Sequence, residues 1–355
     1  MADATNTAMS WDLLADRLRE LSASLTDIVD ALTEPRWLPP YAAAVYRSLA
    51  SALLARYRNL VRAGAVWEDM ATREVLPLDS LMANYPPQAH ALAFPDHDAA
   101  LVRLRATDEV MIVSHRVRGT HRAPLEIGSN RHLATGRRIF QWVTDVMPMA
   151  NGKITRIRHY HDPTSLLIDL GLLPNFPGHG ADATQPALLA LESRASFGIG
   201  DAALARRNQE SLLKTFNPPR GRTPARLLPL MAPGAVLIDV PFGIVHRTPT
   251  TATPGRQEAP PVDDPHATWL TSFPDTTAEV SASYAGEDWA AAEYQVTGTF
   301  TNDLALGDTT LQATGATVQL QVLEQATYDH DGHIVDAAEE CPTTAMMVDT
   351  GALPA

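Results

Sequence analysis

The chain has 355 residues, of which 45% are hydrophobic and 19% are charged, so it is long enough for two domains of roughly 100–200 residues, each with a buried core. The single cysteine, Cys341, excludes an intramolecular disulfide framework and a cysteine-rich metal site. The net charge of −13 argues against a nucleic-acid partner, which requires a basic face.

The acidic charge is concentrated in the second half of the chain. Residues 1–180 carry 19 basic and 19 acidic side chains, whereas residues 181–355 carry 9 and 22. We interpret this as a solvated acidic surface. The start of the chain lacks the basic and apolar regions of a signal peptide, and no apolar run is long enough to span a membrane. The sequence therefore predicts a soluble cytoplasmic protein without a membrane partner.

Two amphipathic helices are predicted first along the chain. Apolar residues recur at spacings of three and four from Trp11 to Leu32, which places them on one helix face. Prolines at positions 35, 39 and 40 end this helix, and a second helix is predicted from Tyr41 to about Arg62. We interpret both apolar stripes as core-facing.

Strands are predicted after the helices in each half of the chain. They are Glu109–Gly119, Ile139–Met147 and Lys153–Tyr160 in the first half, and Trp289–Gly298, Thr317–Tyr328 and Ile334–Glu340 in the second. The last two strands of each half are joined at Asn151-Gly152 or Asp331-Gly332, dipeptides that supply positive φ for a tight hairpin. Helices followed by an antiparallel sheet indicate an α+β class with a curved sheet and a concave pocket.

An internal repeat divides the chain. Residues 151–174, NGKITRIRHYHDPTSLLIDLGLLP, correspond to DGHIVDAAEECPTTAMMVDTGALP 180 positions later. Earlier matches, including FPD, VxGT and ATG, recur at an offset of 179, and GAV recurs at 170. The sequence predicts two copies of one unit, residues 1–178 and 186–355, with a linker at Pro177–Gln185 and extra residues in the loop Thr248–Pro261.

We expect the two units to pack as an internal pseudo-two-fold dimer within a chain that is otherwise monomeric. Each sheet would otherwise expose apolar side chains such as Val143 and Val322 on its outer face.

Ionisable side chains cluster at the end of the strand Lys153–Tyr160. Because alternate strand residues share a face, Arg158, Tyr160 and Asp162 point one way, and His159 and His161 point the other. If the first set faces the pocket, Asp162 can abstract a proton next to a carbonyl group while an arginine or histidine stabilises the enolate.

His115, on the strand before Gly119, and His121, just beyond it, are candidate partners for this chemistry. The alternative is that the histidines are surface residues and that Asp162 caps the helix that follows it. A metal site and a bound cofactor are not indicated, because the histidines lack a partner motif at ligand spacing and there is no glycine-rich phosphate loop.

The segments GTHRAPLEIGSNRHLATGRR and NGKITRIRHYHDPTSLLIDLGLLP resemble the SnoaL-like polyketide cyclase family, as do the FPD motifs and VPFGIVHR at positions 240–247. The resemblance covers most of both copies. It implies the cone-shaped α+β fold of nuclear transport factor 2 (NTF2) in each unit. It also implies cofactor-free intramolecular closure of a polyketide ring.

The resemblance also implies roles for individual residues. Asp162 matches the family's acid/base aspartate, His121 the histidine of its GTH motif, and His115 an aromatic position before it. The strand Ile139–Met147 lacks the histidine that the type cyclases carry there. In the second copy, Pro342 and Phe300 stand at the aspartate and histidine positions.

Candidate substrate-binding residues are found in both copies. They are Arg158, Tyr160 and Trp142 in the first copy, and Tyr328, Glu339, Glu340, His246 and Trp269 in the second. We predict that the first copy is catalytic through Asp162 and that it acts on a polyketide-like small molecule; the alternative is that the second copy carries the reaction through Glu339 or Glu340. The alternatives are related chemistry, such as pyran, spiroketal or epoxide-type ring formation, isomerisation or hydrolysis, and a non-catalytic binding pseudo-dimer.

Overall fold

A computed structural model describes residues 61–78, 93–127, 130–173, 194–216, 230–240, 244–248, 270–306 and 309–351. The first predicted amino-terminal helix, nearly all of the second, the linker Pro177–Gln185 and most of the loop Thr248–Pro261 lie outside these residues. The second helix was predicted to end at about Arg62, but Val61 and Arg62 belong to a strand.

The described residues of the first half form one large sheet, a small hairpin and a short helix. The elements are β1 (Val61–Asp69), β2 (Val75–Pro77), β3 (Asp98–Ala106), β4 (Val110–Thr120), β5 (Leu125–Ile127), β6 (Asn130–His132), β7 (Arg138–Ala150), β8 (Lys153–Tyr160) and α1 (Pro163–Asp169).

The described residues of the second half form a similar set. The elements are β9 (Arg194–Phe197), α2 (Ala202–Phe216), β10 (Met231–Asp239), β11 (Ile244–Arg247), β12 (Thr277–Gly286), β13 (Trp289–Thr299), β14 (Leu304–Leu306), β15 (Thr309–Leu311), β16 (Thr317–Tyr328), β17 (Ile334–Glu340) and α3 (Thr343–Asp349). Among the residues that the structure describes, every helix is too short or too polar to cross a membrane.

The two large sheets have corresponding strand orders. The first runs β2-β1-β8-β7-β4-β3-β9 and the second runs β11-β10-β17-β16-β13-β12. The registers also correspond, because Asp145 lies opposite His159 in the first sheet and Glu324 lies opposite Glu339 in the second. The α+β class predicted from the sequence agrees with this mixture of sheets and short helices.

The sheets are mixed and not antiparallel as predicted. Strand β1 runs parallel to β8, β10 runs parallel to β17, and β9 adds to the first sheet parallel to β3. Hairpin turns fix an antiparallel direction only for the strands that they join. Strands β1 and β8 are far apart in the chain, so turn residues carried no information about their relative direction.

The predicted hairpins are formed, but their turns differ. Asn151 and Gly152 both have positive φ (53° and 69°) in a two-residue turn between Ala150 and Lys153. In the second hairpin only Gly332 has positive φ (90°), and residues 329–333 separate the paired Tyr328 and Ile334. The second turn is therefore longer than the dipeptide predicts.

The two large sheets pack against each other through one face of each, which we call the shared face. Val110, Ile112 and Val146 of the first sheet form a buried cluster with Trp289 and Leu323 of the second. We call the opposite faces the inner faces.

The inner face of the first sheet carries apolar residues such as Met111, Met147 and Ile157. On the inner face of the second sheet, Leu320 and Val322 belong to a large apolar core.

Val143 and Val322 do not lie on the shared face, contrary to the prediction. Val322 packs in the core of the second unit, and its neighbour Leu323 lies between the sheets. Thr144 bonds to the second sheet, so Val143 points to the inner face. The prediction placed these residues one position out of register, because each strand has apolar residues on both faces.

Candidate active site

Strand β8 presents its side chains alternately to two surroundings, as predicted. Arg158 Nη2 donates to Tyr284 Oη (2.8 Å) and the Tyr160 hydroxyl donates to Glu293 Oε1 (2.8 Å), so both contact the second sheet. His159 and His161 bond to carboxylates on the inner face of the first sheet. The face that was expected to line the pocket is therefore packed between the sheets.

Two histidine–aspartate pairs lie side by side on the inner face. His159 Nδ1 is 2.7 Å from Asp145 Oδ1, and His161 Nε2 is 3.0 Å from Asp69 Oδ2. The centroids of the two imidazole rings are 4.7 Å apart. The side chains of both histidines are about one-fifth exposed (23% and 22%).

Strand register brings these residues together. His159 lies opposite Asp145 on β7 and opposite Asp69 on β1, so two neighbouring strands supply a carboxylate on the same face. Asp69 is held in place because its Oδ1 accepts hydrogen bonds from the backbone N–H groups of Ala71 (2.8 Å) and Thr72 (3.1 Å). The ring of Trp67, two residues earlier on β1, lies 5.4 Å from that of His159.

The carboxylates set the charge of this cluster. Burial opposes the charged form of His159, but the Asp145 carboxylate outweighs burial and raises the pKa of His159 above its usual value. Burial likewise opposes the charged form of Asp145, but the neighbouring His159 lowers the pKa of Asp145. Burial opposes the charged form of Asp69 as well, but the hydrogen bond and charge of His161, together with the backbone N–H groups of Thr72 and Ala71, lower its pKa to about 2.

His115 belongs to the same face. Its neighbour Ser114 bonds across the shared face to Gln325, so His115 points to the inner face, where it lies opposite Val143 on β7. Burial lowers the pKa of His115, so it is neutral near pH 7, although the charge of Asp145 acts in the other direction. The structure thus brings one of the three predicted catalytic residues to the histidine–aspartate pairs.

His121 lies elsewhere, in a packed corner at the end of β4. Its ring is fully buried and lies 5.4 Å from that of Phe94, and its Nδ1 accepts from the backbone N–H of Thr135 (3.2 Å). Burial lowers the pKa of His121. Phe300 occupies the corresponding corner of the second unit and stacks on Phe273 at 5.1 Å. An apolar ring can therefore fill this position.

Asp162 caps helix α1 and binds helix α3. Its Oδ1 accepts from the backbone N–H of Thr164 (3.3 Å), and the hydroxyl of Thr343 lies 2.9 and 3.0 Å from its two carboxylate oxygens. Burial raises the pKa of Asp162 to about 6 in spite of these hydrogen bonds. The capping alternative noted from the sequence is thus observed.

Glu340 lies on the shared face close to Asp162. Its Oε1 accepts from Thr144 Oγ1 (2.7 Å) and from Gln325 Nε2 (3.0 Å). Burial raises the pKa of Glu340 to about 7.

Asp162 and Glu340 line a cavity of about 10 Å³ together with Trp142, Tyr160, His161 and Cys341. A cavity of this size holds about one water molecule.

The second sheet replaces the histidine–aspartate pairs with other residues. Glu339 and Glu324 correspond to His159 and Asp145 in the strand register, and both are buried (9% and 1% exposed). Tyr328 is buried in the apolar core of the second unit, and burial raises its pKa. Of the remaining candidates, His246 lies on β11, but its side chain is outside the described part of the chain, as is all of Trp269.

Sequence reasoning did not select Asp69 and Asp145 and expected His159 and His161 to point away from the pocket. The alternation of His159 and His161 was visible in the sequence. The sequence did not show which strands lie beside β8. Asp69 contacts His161 because β1 pairs in parallel with β8.

A metal-binding arrangement is found elsewhere in the described residues. Asp329, Asp331 and His333 offer ligand atoms within 4.8 Å of one another on the turn between β16 and β17. Two of these residues are exposed, and such groups are common on surface turns without an ion.

No protein family model matches the chain, and no curated protein matches it. Solved structures do match. A protein of Jannaschia sp. CCS1 assigned to the SnoaL-like polyketide cyclases is 12% identical, and the match covers 44% of this chain and 92% of that one with a TM-score of 0.31.

Two further matches are similar in extent. IdmH of Streptomyces antibioticus, assigned as a polyketide cyclase, is 18% identical over 43% of this chain and 99% of its own (TM-score 0.30). An NTF2-like protein of Burkholderia thailandensis E264 is 16% identical over 43% and 98% (TM-score 0.27). At these identities and scores the similarity concerns the fold and carries no argument about activity.

Proposed function

We propose that the first unit is an acid–base enzyme that moves a proton on a carbon next to a carbonyl group, with His159 as the base. The observation that carries this proposal is the pair of adjacent imidazoles, each bound to its own carboxylate, on a partly exposed face. Histidine is the side chain whose proton affinity is best matched to such transfers near neutral pH.

Asp145 orients His159 for this role. A carboxylate can only accept, so the Nδ1 of His159 carries the hydrogen that bonds to Asp145, and Nε2 of the neutral ring is left to take a proton. His161 is held by Asp69 in the same way through its Nε2. The two rings therefore hold their carboxylates through different nitrogen atoms, and each neutral ring keeps its other nitrogen atom available as an acceptor.

The proposed reaction starts when His159 Nε2 takes a proton from the carbon. The C–H bond breaks, its electron pair moves into the carbonyl, and the negative charge forms on the enolate oxygen. The enolate carbon then attacks a second carbonyl of the same molecule and forms a C–C bond. The protonated His159 returns its proton to the new alkoxide, so the ring closes without a cofactor.

The resemblance of GTHRAPLEIGSNRHLATGRR and the repeated LGLLP-like ends to SnoaL-like cyclases supports a polyketide-like substrate and ring closure. Formation of a C–O bond, isomerisation and hydrolysis use the same acid–base groups. A non-catalytic binding role for the chain is the outcome if none of these is observed.

A second candidate site is the cavity between the sheets. Asp162, with a pKa raised to about 6, lies there beside Glu340 and Tyr160, and a carboxyl group with a raised pKa is suited to acid–base chemistry. The cavity has room for about one water molecule, so this site requires the sheets to move apart before a substrate enters.

We also propose that the chain is a tandem duplication, with units at 1–178 and 186–355 arranged as a pseudo-two-fold dimer. The corresponding strand orders support this. So does the contact of Thr164 Oγ1 with Thr344 Oγ1 at 2.8 Å, because these residues are equivalent in the repeat and equivalent residues meet on a two-fold axis.

The test is proton exchange, which does not require the natural substrate. The full chain is incubated in D₂O with small 1,3-dicarbonyl compounds, and deuterium at the central carbon is measured by mass spectrometry. We expect His159→Gln to lower the enzyme-catalysed exchange rate by about 10²–10⁴-fold, the usual contribution of a general base.

Matched variants decide between the two sites. His121→Phe copies the residue of the second unit and is expected to leave the rate unchanged. Asp162→Asn keeps the cap and removes the base, so it separates the second candidate from the first. An exchange rate that falls with Asp162→Asn but not with His159→Gln would overturn the assignment to His159.

A further inference from the structure

We infer that Glu340, which the second unit supplies, is a positioning residue for His159, so that the histidine–aspartate site is complete only when the two sheets are packed together. This inference rests on the proposed role of His159. It gives the second unit a part in the first unit's chemistry.

The geometry starts with the hydrogen bond from Thr144 to Glu340, which is 2.7 Å long. Thr144 immediately precedes Asp145 on β7, and the two side chains point to opposite faces. In the register with β8, Thr144 lies opposite Tyr160 and Asp145 lies opposite His159. Glu340 therefore lies behind the Asp145–His159 pair, with the Thr144 side chain and the sheet backbone between them.

The medium between Glu340 and His159 is protein and not water. The side chains around the Glu340 carboxylate are fully buried, since Ser114, Thr144 and Gln325 are all 0% exposed. A charge in such surroundings is weakly screened and acts over several ångströms. A negative charge at Glu340 favours protonated His159 and contributes to the raised pKa of that histidine, after Asp145 and Asp69.

Other charged and titratable groups surround both partners. Those near Glu340 are Arg103, Arg105, Asp336, Tyr160, His161 and Asp162, and those near His159 are Asp145, Asp69, His161 and His115. Hydrogen bonds from Thr144, Trp142 and Gln325 and the charge of Arg103 favour the ionised form of Glu340, and Asp145 and Asp69 favour the protonated form of His159. Glu340 and His159 consequently titrate in a coupled way.

The neighbouring glutamate provides a matched control. Glu339 is adjacent in sequence but points to the inner face of the second sheet, where it lies opposite Glu324. Glu339→Gln removes the same carboxyl group as Glu340→Gln, one position along the strand. Only Glu340 lies behind His159.

The experiment is an NMR titration of the His159 imidazole in the full-length protein, with the signal assigned by its loss in His159→Gln. We expect Glu340→Gln to lower the pKa of His159 by about 0.5–1 unit, the size expected for a single charge at this separation. Glu339→Gln is expected to leave the His159 titration within about 0.2 unit of the wild type.

Thr144→Val provides a second route, because it removes one hydrogen bond to the Glu340 carboxylate without altering either titrating group. We expect Thr144→Val to lower the pKa of His159 by less than Glu340→Gln does. Identical His159 titrations in the wild type, Glu340→Gln and Thr144→Val would overturn the inference, as would an equal shift in Glu339→Gln. The exchange assay reports separately on the proposed function, because it can fail while the titration shift is present.

Discussion

The carboxyl groups of Asp162 and Glu340 are buried at the contact between the two halves of the chain. Burial raises the pKa of Asp162 to about 6 and that of Glu340 to about 7. Their usual values are 3.8 and 4.5. The folded protein therefore holds protons on these groups at a pH where the unfolded chain has released them. As pH rises from about 4 to about 7, the contribution of both groups to stability is lost.

We predict that this loss disappears in the double variant Asp162→Asn/Glu340→Gln. Each shift corresponds to at most about 3 kcal/mol. Denaturant unfolding is measured at about pH 4.5 and about pH 7.5. Between these values the free energy of unfolding should fall more for the wild type than for the double variant. Asp69 and Asp145, whose lowered pKa values act in the opposite direction, are unchanged in both proteins and cancel. Equal falls in the two proteins would contradict the prediction.

The residues at the end of strand β8 show how far the facing of side chains can be predicted. The alternation of Arg158, His159, Tyr160 and His161 was predictable, because a strand has a period of two. Which set faces the pocket was not predictable, since both sets carry aromatic and ionisable groups. A strand buried on both faces lacks the polar side that would decide the question.

At the scale of elements, the two hairpins offer a comparison. Asn151 has a φ of 53°, in the left-handed region that only glycine and asparagine adopt readily, whereas Asp331 does not have positive φ. The dipeptides Asn-Gly and Asp-Gly predicted both turns equally well. The extra residues of the second turn had no sequence signal distinct from the first.

We predict that Asn151→Ala destabilises the protein by about 1 kcal/mol, because alanine is strained in the left-handed region. Asp331→Ala is expected to change the unfolding free energy by less than about 0.5 kcal/mol. Equilibrium unfolding in urea measures both values. Equal costs at the two positions would show that the turn backbone does not decide the difference.

At the scale of the whole molecule, buried polar contacts link the sheets. Arg103 pairs with Asp336, and Arg105 donates to Gln325 Oε1 (3.0 Å) and Thr327 Oγ1 (2.8 Å). Both arginines are almost fully buried, at 3% and 4% exposure. Separating the sheets would leave these groups without their partners, so we expect the two units to unfold together.

We predict a single calorimetric transition for the full chain. Arg103→Ala should lower its midpoint without splitting it, because removing one partner of a buried ion pair costs about 3–5 kcal/mol and affects both sheets. Two separate transitions in the wild type, of which only one responds to Arg103→Ala, would show that the units fold independently.

The repeat predicted two related sheets, and the strand orders of the two large sheets correspond except for β9, which only the first sheet has. The repeat could not predict which side chains join the two sheets, because corresponding positions of the two halves carry different residues. Arg103, for example, reaches Asp336 across 233 positions of the chain.

The contact between the sheets uses corresponding positions in different ways. Glu340 bonds to Thr144, whereas their counterparts Tyr160 and Leu323 belong to one apolar cluster. Two identical subunits related by a two-fold axis would have to repeat every such contact, including its buried acid. With both halves encoded on one chain, mutation can alter the contacts of one sheet alone. A single gene can thus place Glu340 behind the histidines in one half, while its counterpart Tyr160 packs with Leu323 and donates to Glu293.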